Sequence, residues 1–369
     1  MSISDDDKQL AAELAKRANG SEQSYCQHEY NLHRWLVAYE RDVDKAAAAL
    51  KRHLNIRQIM EIEKLADGDI EIEEQVEKYA PMTILGRNHP DDNKIVIFEQ
   101  SGKIDIGGLV DNLQMTSFMQ AKFRLMEKLH RRVVEEEKRH DQMGGAVLVM
   151  DLEGIEFSTK LLSMLTGPYR IMWGTLFDQY PQIIQQIIIV NAPSFVNVLH
   201  TACSPFLPND YKSKLHISSS SARNYLPTVI HASCLPEELG GYAKMTLSID
   251  DECELVAPLC EPIRPIPKPK VREVQLDSVT VPAGGNTLQK FLWSEGTKLR
   301  FFLQSDDNFH HYIFHSKENT TRMDAWREIY PGCERPATAL IDSWVWTVPA
   351  SGFIYDTVAV KQLCSLKRI

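Results

Sequence analysis

The sequence predicts a multi-domain chain: an N-terminal helical segment, an α/β domain on a largely parallel sheet, and an all-β sandwich after it. Three observations carry that reading. From about residue 80, short Ile/Val-rich runs alternate with long amphipathic stretches, the strand–helix order that builds parallel sheets with both faces covered. Prolines at 258, 262, 265, 267 and 269 then interrupt the chain. Such spacing forbids helix and sheet interior and favours an extended, semi-rigid linker. Beyond it, short alternating runs are separated by Gly, Asp-Asp, Asn and Pro, a sandwich pattern. The expected boundaries are 1–75 for the helical segment, 76–250 for the α/β domain, 251–270 for the linker and 271–369 for the sandwich.

In chain order, Leu32, Trp35, Leu36 and Tyr39 fall at helical spacing, and an Ala-rich face follows from Val43 to Leu54. Together they predict a small helical bundle packed on something larger. "KIVIFEQSGKID" is a strand leading to a turn. "MTSFMQAKFRLMEKLHRRVVEEEKRHDQ" is a long helix whose Phe118, Phe123, Met126, Leu129 and Val133 recur at three- to five-residue steps. Its charged run, residues 135–140, reads as a solvated end. "GGAVLVMDLEGI" is a second buried strand ending at Asp151, and "STKLLSMLTGPYRIMWGTLFDQYP" is helical. "QIIQQIIIVNAP" is a third strand and "YKSKLHISSS" opens a fourth. In the last third, "EVQLDSVTVPAGG", "TLQKFLWSEGTKLRFFLQSDDNFHHYIFHSKE" and "ALIDSWVWTVPASG" supply the sandwich strands.

Of the 369 residues, 43% are hydrophobic and 25% charged, a folded globular composition. The net charge of −9 disfavours a general nucleic-acid binder. The acidic N-terminus has no apolar h-region, and no window is apolar enough for a membrane span. Seven cysteines without a CxxC pair read as free thiols in a reducing compartment. A cytoplasmic protein, peripheral and transient at membranes, is the expectation. No GxSxG, HExxH, P-loop or GxGxxG is present. His311 and His315 would share a strand face, but without Cys or carboxylate at ligand spacing they read as surface histidines on an edge, and no metal or cofactor is expected. Asp151 and Glu153 lie at a strand end, where α/β sites tend to lie. An acid/base role there competes with an Asp that merely starts a turn.

After the third strand, Asn191 and Pro193 are placed to launch a helix. Phe195, Leu199, Ala202 and Phe206 follow at i, i+4, i+7 and i+11, with Val196 and Val198 widening the apolar surface. Such a helix must be covered on more than one side. It is either a core helix or the wall of a cavity that holds something apolar.

"FEQSGKIDIGGL", "VMDLEGI", "YPQIIQQIIIVNAPSFVNVL" and "PFLPNDYKSKLHI", in that order, resemble the CRAL-TRIO lipid-binding domain of phosphatidylinositol-transfer-like proteins. The likeness spans about residues 25–245 and includes that family's N-terminal helical extension. Residues 271–352 more loosely resemble a GOLD domain, although the family's usual close is missing. The resemblance implies a non-enzymatic protein that binds, transfers or presents one lipid, with a gate helix at residues 195–206 hinged before Tyr211. Gate and pocket candidates are Phe195, Val196, Leu199, Ala202, Phe206, Met150, Tyr180 and Ile188, and the headgroup candidate is Lys214. Other headgroup positions depart from the family pattern: Gln182 replaces an acid, Tyr39 and Glu40 replace a basic pair, and Ala146 and Leu148 replace small hydroxyls. The expected ligand is therefore a more apolar lipid, or a phospholipid held by different contacts. The expected partners are that lipid, a membrane surface and, through residues 271–369, a protein. The alternative function is a trafficking adaptor whose sandwich binds the protein partner while the lipid domain is a sensor or relic.

Overall fold

The computed structural model describes residues 3–70, 72, 75–89, 92–203, 213–243, 259–268, 274–282, 284–330, 332–337 and 340–359. Helices α1 (Asp5–Arg17), α2 (Glu29–Ala38) and α3 (Val43–Ile59) form the expected bundle around Leu14, Trp35, Leu36 and Leu50. Ser4 and Asp42 start α1 and α3 by accepting backbone N–H bonds in the first turn. α4 (Ile62–Asp67) leaves the bundle and joins the main core through Ile62 and Leu65.

Strands β1 (Thr83–His89), β2 (Asp92–Glu99), β3 (Gly145–Asp151), β4 (Ile184–Val190) and β5 (Leu215–Ile217) form one sheet in that order. The pairs from β2 to β5 are parallel, as expected. β1 is an addition, antiparallel to β2, and its half-polar "TILGRNH" lacks the apolar run that marks the others. Between and after the strands lie α5 (Ile106–Asn112), α6 (Met115–His140), α7 (Thr159–Thr166), α8 (Pro168–Gln179), α9 (Phe195–Cys203) and α10 (Ala222–Tyr225). The helical stretch before β4 is thus two helices, broken at Gly167 and restarted by Pro168 at a first-turn position. Alternation sorts the strands onto two faces. Ile95, Ile97, Ala146, Leu148 and Ile184 pack with α6 and α8. Val96, Phe98, Val149, Ile188 and Val190 pack with α10 and the turns after it.

The charged end of α6 is solvated on one side, where Glu135, Lys138 and Arg139 are exposed, but not on the other. Glu136 and Glu137 are buried. Glu137 accepts from Arg34 and from the Gly144 N–H (2.7 Å), with His28 Nε2 at 2.9 Å. Glu136 pairs with Arg139 (2.9 Å), Arg132 (3.3 Å) and His140 (3.3 Å). One stretch earlier, buried Arg57 forks onto Glu127 at 2.7 and 2.8 Å, and the Tyr180 hydroxyl donates to the same carboxylate at 3.1 Å. The helical segment lies on α6 and turns these charges inward, where each must be paired.

The C-terminal region is two antiparallel sheets. β6 (Asn286–Trp293), β8 (Phe309–Ser316), β9 (Arg327–Tyr330), β10 (Glu334–Arg335) and β12 (Gly352–Ala359) make one, and β7 (Lys298–Leu303) and β11 (Asp342–Thr347) the other. Phe291, Ile313 and Ile354 meet Leu299, Phe301 and Trp346 between them. Two expectations change here. Residues 274–282 carry no strand: Leu276 and Val279 stay exposed, so their alternation has no face to bury. His311 and His315 are not on an edge but buried on central β8, bonded to Asp356 (2.7 Å) and the Ser351 carbonyl (3.0 Å). The proline-rich stretch, where it is described, carries no helix or strand and is docked on the α/β body. Ile263 N–H donates to Lys78 and Ile266 N–H to Asp105 (both 2.8 Å), while the Ile266 side chain enters the main core. Extended proline-rich backbone has unspent polar groups, and the α/β body takes them up.

Candidate functional site

The site forms where the strands end. Gly102, in the turn after β2, lies so close to the loop after β3 that a Cβ there would sit 2.1 Å from the Glu153 carbonyl oxygen. Asp151 closes β3, and its Oδ1 accepts from the Glu153 N–H (2.9 Å) and the Asn191 side-chain amide (2.7 Å). Those two bonds hold the turn. Asn191 is therefore spent on Asp151, and α9 begins at Phe195, two residues after Pro193. Asn191 itself takes φ 51°, a left-handed corner that asparagine tolerates, and its backbone N–H is held by the Ser220 carbonyl.

α9 is apolar on two sides. Val196 and Leu199 are buried, Val196 in a cluster with Leu152 and Ala192 that Ile155, Ile189, Phe195 and Ile217 complete. On the other side Val198 is 69% exposed. Phe195 meets Phe157 edge-on at 5.7 Å, and Phe157 is itself 59% exposed. α7 packs against α9 and leaves Leu162 exposed. Met150, half-buried beside Ile189 in the β3–β4 register, belongs to the same end of the sheet.

The remaining candidates are dispersed. Ile188 points to the opposite face of the sheet, among Val149 and Leu226. Tyr180 is buried in the polar network between α3, α6 and α8, with its ring 6.0 Å from His53. Ala202 lies in the last turn of α9, and Phe206 and the hinge before Tyr211 fall outside the described residues. Lys214 stands at the start of β5, at the other end of the sheet from α9, and donates to Gln182 Oε1 at 2.8 Å. Gln182 occupies the corner before β4 with φ 56°. Ala146 and Leu148 lie in the main core, and Tyr39 stacks on Trp35.

Sequence reasoning passed over Phe157 and Leu162, whose signal is apolar residues left in "EFSTKLL" beside a Ser-capped helix start. It also passed over a polar group on the face of Met150. Lys122 and Glu99 are buried 3.4 Å apart, Ser101 donates to Glu99, and the buried Tyr169 hydroxyl has no partner among the described residues. Burial lowers the Lys122 ammonium from its ordinary value, against the pull of Glu99. A lysine inside the apolar stripe of α6 was its visible mark.

Residues 77–241 match a family model described as CRAL/TRIO domain. Residues 262–358 match one described as F28H7_8_C:-like, C-terminal domain. CRAL-TRIO domain-containing protein F28H7.8 of Caenorhabditis elegans is 27% identical over 327 residues, 85% of this chain and 77% of that protein. The phosphatidylinositol/phosphatidylcholine transfer protein SFH9 of Arabidopsis thaliana is 26% identical over 218 residues, 57% of this chain but 36% of that protein. Among solved structures, Sfh5 aligns with TM-score 0.48 and 14% identity, over 62% of this chain and 85% of that one.

Proposed function

We propose that this chain, which carries a CRAL-TRIO domain as its α/β body, binds one lipid and exchanges it at membrane surfaces without catalysis. One observation carries the reading: α9 buries Val196 and Leu199 inward while Val198, Phe157 and Leu162 stay bare around it. A lipid confined in an apolar pocket gains about 0.8 kcal/mol per buried CH₂, so it does not leave through water at a useful rate. Exchange needs a wall that opens against a bilayer, and a wall apolar on both sides suits it.

The relative named as a phosphatidylinositol/phosphatidylcholine transfer protein agrees in kind. The ligand here is read as more apolar, or as a phospholipid held otherwise, because Gln182 rather than an acid faces Lys214. A GOLD-like sandwich and a role in intracellular lipid trafficking complete the proposal.

The test is lipid transfer between vesicles, alongside native mass spectrometry of protein from its own cells. Wild-type protein should carry stoichiometric lipid and move it, and Leu199→Asp should abolish movement. Unchanged transfer by Leu199→Asp would refute the gate assignment. A wild-type protein that neither carries nor moves lipid would instead favour the adaptor, with the sandwich holding a protein partner. Stoichiometric phosphatidylinositol would overturn the choice of ligand alone.

A further inference from the structure

Residues 274–282, "VQLDSVTVP", carry no strand, and Leu276 and Val279 are left 37% and 53% exposed. The strand that follows, β6, is the last of its sheet. It pairs with β12 on one side and with no strand on the other among the described residues. Its outward side chains are equally bare: Leu288 is 47% and Leu292 70% exposed, with Lys290 between them. An apolar edge strand is a template for another strand. The segment just before it is apolar in turn and has no face of its own in the sandwich as it stands.

The turn that would join the two is already made. The Gly285 N–H donates to the Pro282 carbonyl at 2.8 Å, and Gly284 takes φ 72°, which glycine adopts freely. A bond from 285 to 282 fixes the register of any arms beyond it. Val281 falls opposite Asn286, Val279 opposite Leu288, Asp277 opposite Lys290 and Leu276 opposite Phe291. Directly opposite residues of an antiparallel pair share a face. On the outer face, two bare apolar residues therefore meet, and Asp277 meets Lys290, which now donates to the Asn319 side chain (3.0 Å). On the inner face, Val274 and Leu276 join Trp293 and Phe291, whose rings stack at 4.6 Å in the cluster between the sheets. The turn alone sets this register, yet it matches charge with charge and apolar with apolar. The chain's path suits it as well. Trp293 pairs with Gly352, close to Pro349 and Ala350, which share a cleft with Met60 and Met119 of the α/β body. A chain arriving from that body meets the Trp293 end of β6 first and the turn last. A second copy fits the edge less well: β6 laid antiparallel on β6 with Leu288 opposite Leu292 sets Lys290 against Lys290.

We propose that residues 274–281 are a strap poised to close on β6 as an antiparallel strand, and that the closed strap withholds the sandwich's open edge from strand addition by another chain. Closure gives Leu276 and Val279 the face they lack and covers the edge that Leu288 and Leu292 flank. It is independent of α9 and of the lipid.

Disulfide trapping in the full-length protein tests the strap, with linked peptides identified by mass spectrometry. Val279→Cys with Leu288→Cys changes two exposed positions and empties no core. Directly opposite Cβ atoms lie about 4.5–5.5 Å apart, so this pair should link within one chain. The link should form roughly tenfold or more faster than in Ser278→Cys with Leu288→Cys, whose side chains would point to opposite faces. Asp277→Lys should slow the 279–288 link about two- to fivefold, and Lys290→Asp added to it should restore the rate. A fluorescent peptide with the sequence of residues 274–281 should bind the reduced protein roughly tenfold or more tightly than the oxidised, locked one. Equal rates for the two cysteine pairs would overturn the strap. So would a 279–288 link formed only between chains, since a second copy would then hold the edge. Peptide binding that is absent, or indifferent to the lock, would overturn the withholding of the edge.

Discussion

His53 shows what burial does to a single residue. It sits between Tyr25 (4.7 Å) and Trp35 (5.2 Å), with Nδ1 3.0 Å from the Gln179 side-chain oxygen. Burial first, and then the Arg57 guanidinium, pull its imidazole down to about 3. Burial lowers His130 in the same network. Unfolded histidine titrates near 6.5, so between about 3 and 6.5 the unfolded chain takes up a proton that folded His53 refuses. The sign follows: the contribution is complete above about pH 6.5 and falls as pH drops, by about 1.4 kcal/mol per pH unit for each such histidine. The buried carboxylates act in a lower window. Burial alone would raise Glu137, but His28, Arg34 and the Gly144 N–H outweigh it and hold it below its ordinary value. Its contribution is therefore present above about pH 4.5 and is lost only as pH falls through the lower folded value. Urea unfolding between about pH 7.5 and pH 5.5 should show the histidine loss, and His53→Gln should reduce it, leaving the share of His130. A wild-type profile level over that range would contradict the assignment.

At the scale of elements, α6 joins the bundle to the sheet, and Arg34 with Glu137 is the joint. Arg34 is 1% exposed and Glu137 is equally buried. Removing one partner of such a pair leaves a buried charge bare, at about 3–5 kcal/mol. Arg34→Ala should lose stability on that scale in urea denaturation, and Arg34→Met with Glu137→Leu should lose less than the two single changes summed. An Arg34→Ala protein within about 1 kcal/mol of wild type would show that the pair carries little. This joint was invisible in the sequence because the partners stand 103 residues apart. The run at 135–140 has the composition of a solvated helix end, and Glu135, Lys138 and Arg139 are exposed; it is Arg34, His28 and Gly144 arriving from elsewhere that make Glu137 interior. What was legible is what burial writes locally: the Phe118-to-Val133 stripe, the Ile/Val strands of a parallel sheet and the inward side of α9. Within β4, by contrast, every position is Ile, Val or Gln, so alternation could not tell Ile188 from Ile189, and only pairing assigns their faces. β1 and the docked course of residues 259–268 were hidden for the opposite reason, since single buried side chains such as Leu85 and Ile266, with scattered hydrogen bonds, hold them without a periodic apolar pattern.

The whole molecule is fastened at several points. Glu334 reaches Arg170 on α8 (2.8 Å), Arg52 on α3 reaches the Gly332 carbonyl (3.1 Å), and Asp342 reaches the start of α6. The last is the most consequential. The residue before α6, Gln114, makes no side-chain cap, yet the helix runs for 26 residues and concentrates positive charge at its first turn. Asp342, from the sandwich, supplies the missing cap by accepting from the Thr116 N–H (3.1 Å) and hydroxyl (2.9 Å). Arg335 pairs with the same carboxylate and lies 4.2 Å over the Trp344 ring. One carboxylate thus caps a helix of the α/β body and neutralises a cation of the sandwich. Asp342→Ala removes a cap worth about 1 kcal/mol and also leaves Arg335 without its counter-charge, so the loss should exceed that of a cap alone. Because the lost contacts lie between domains, the sandwich should loosen before it unfolds. Small-angle scattering should show a larger radius of gyration, and urea unfolding should split into two steps. Asp342→Asn keeps an acceptor for Thr116 but not the charge, and should fall between. If Asp342→Ala keeps wild-type dimensions and a single transition, Arg170 and Arg52 hold the domains without it, and the cap serves α6 alone.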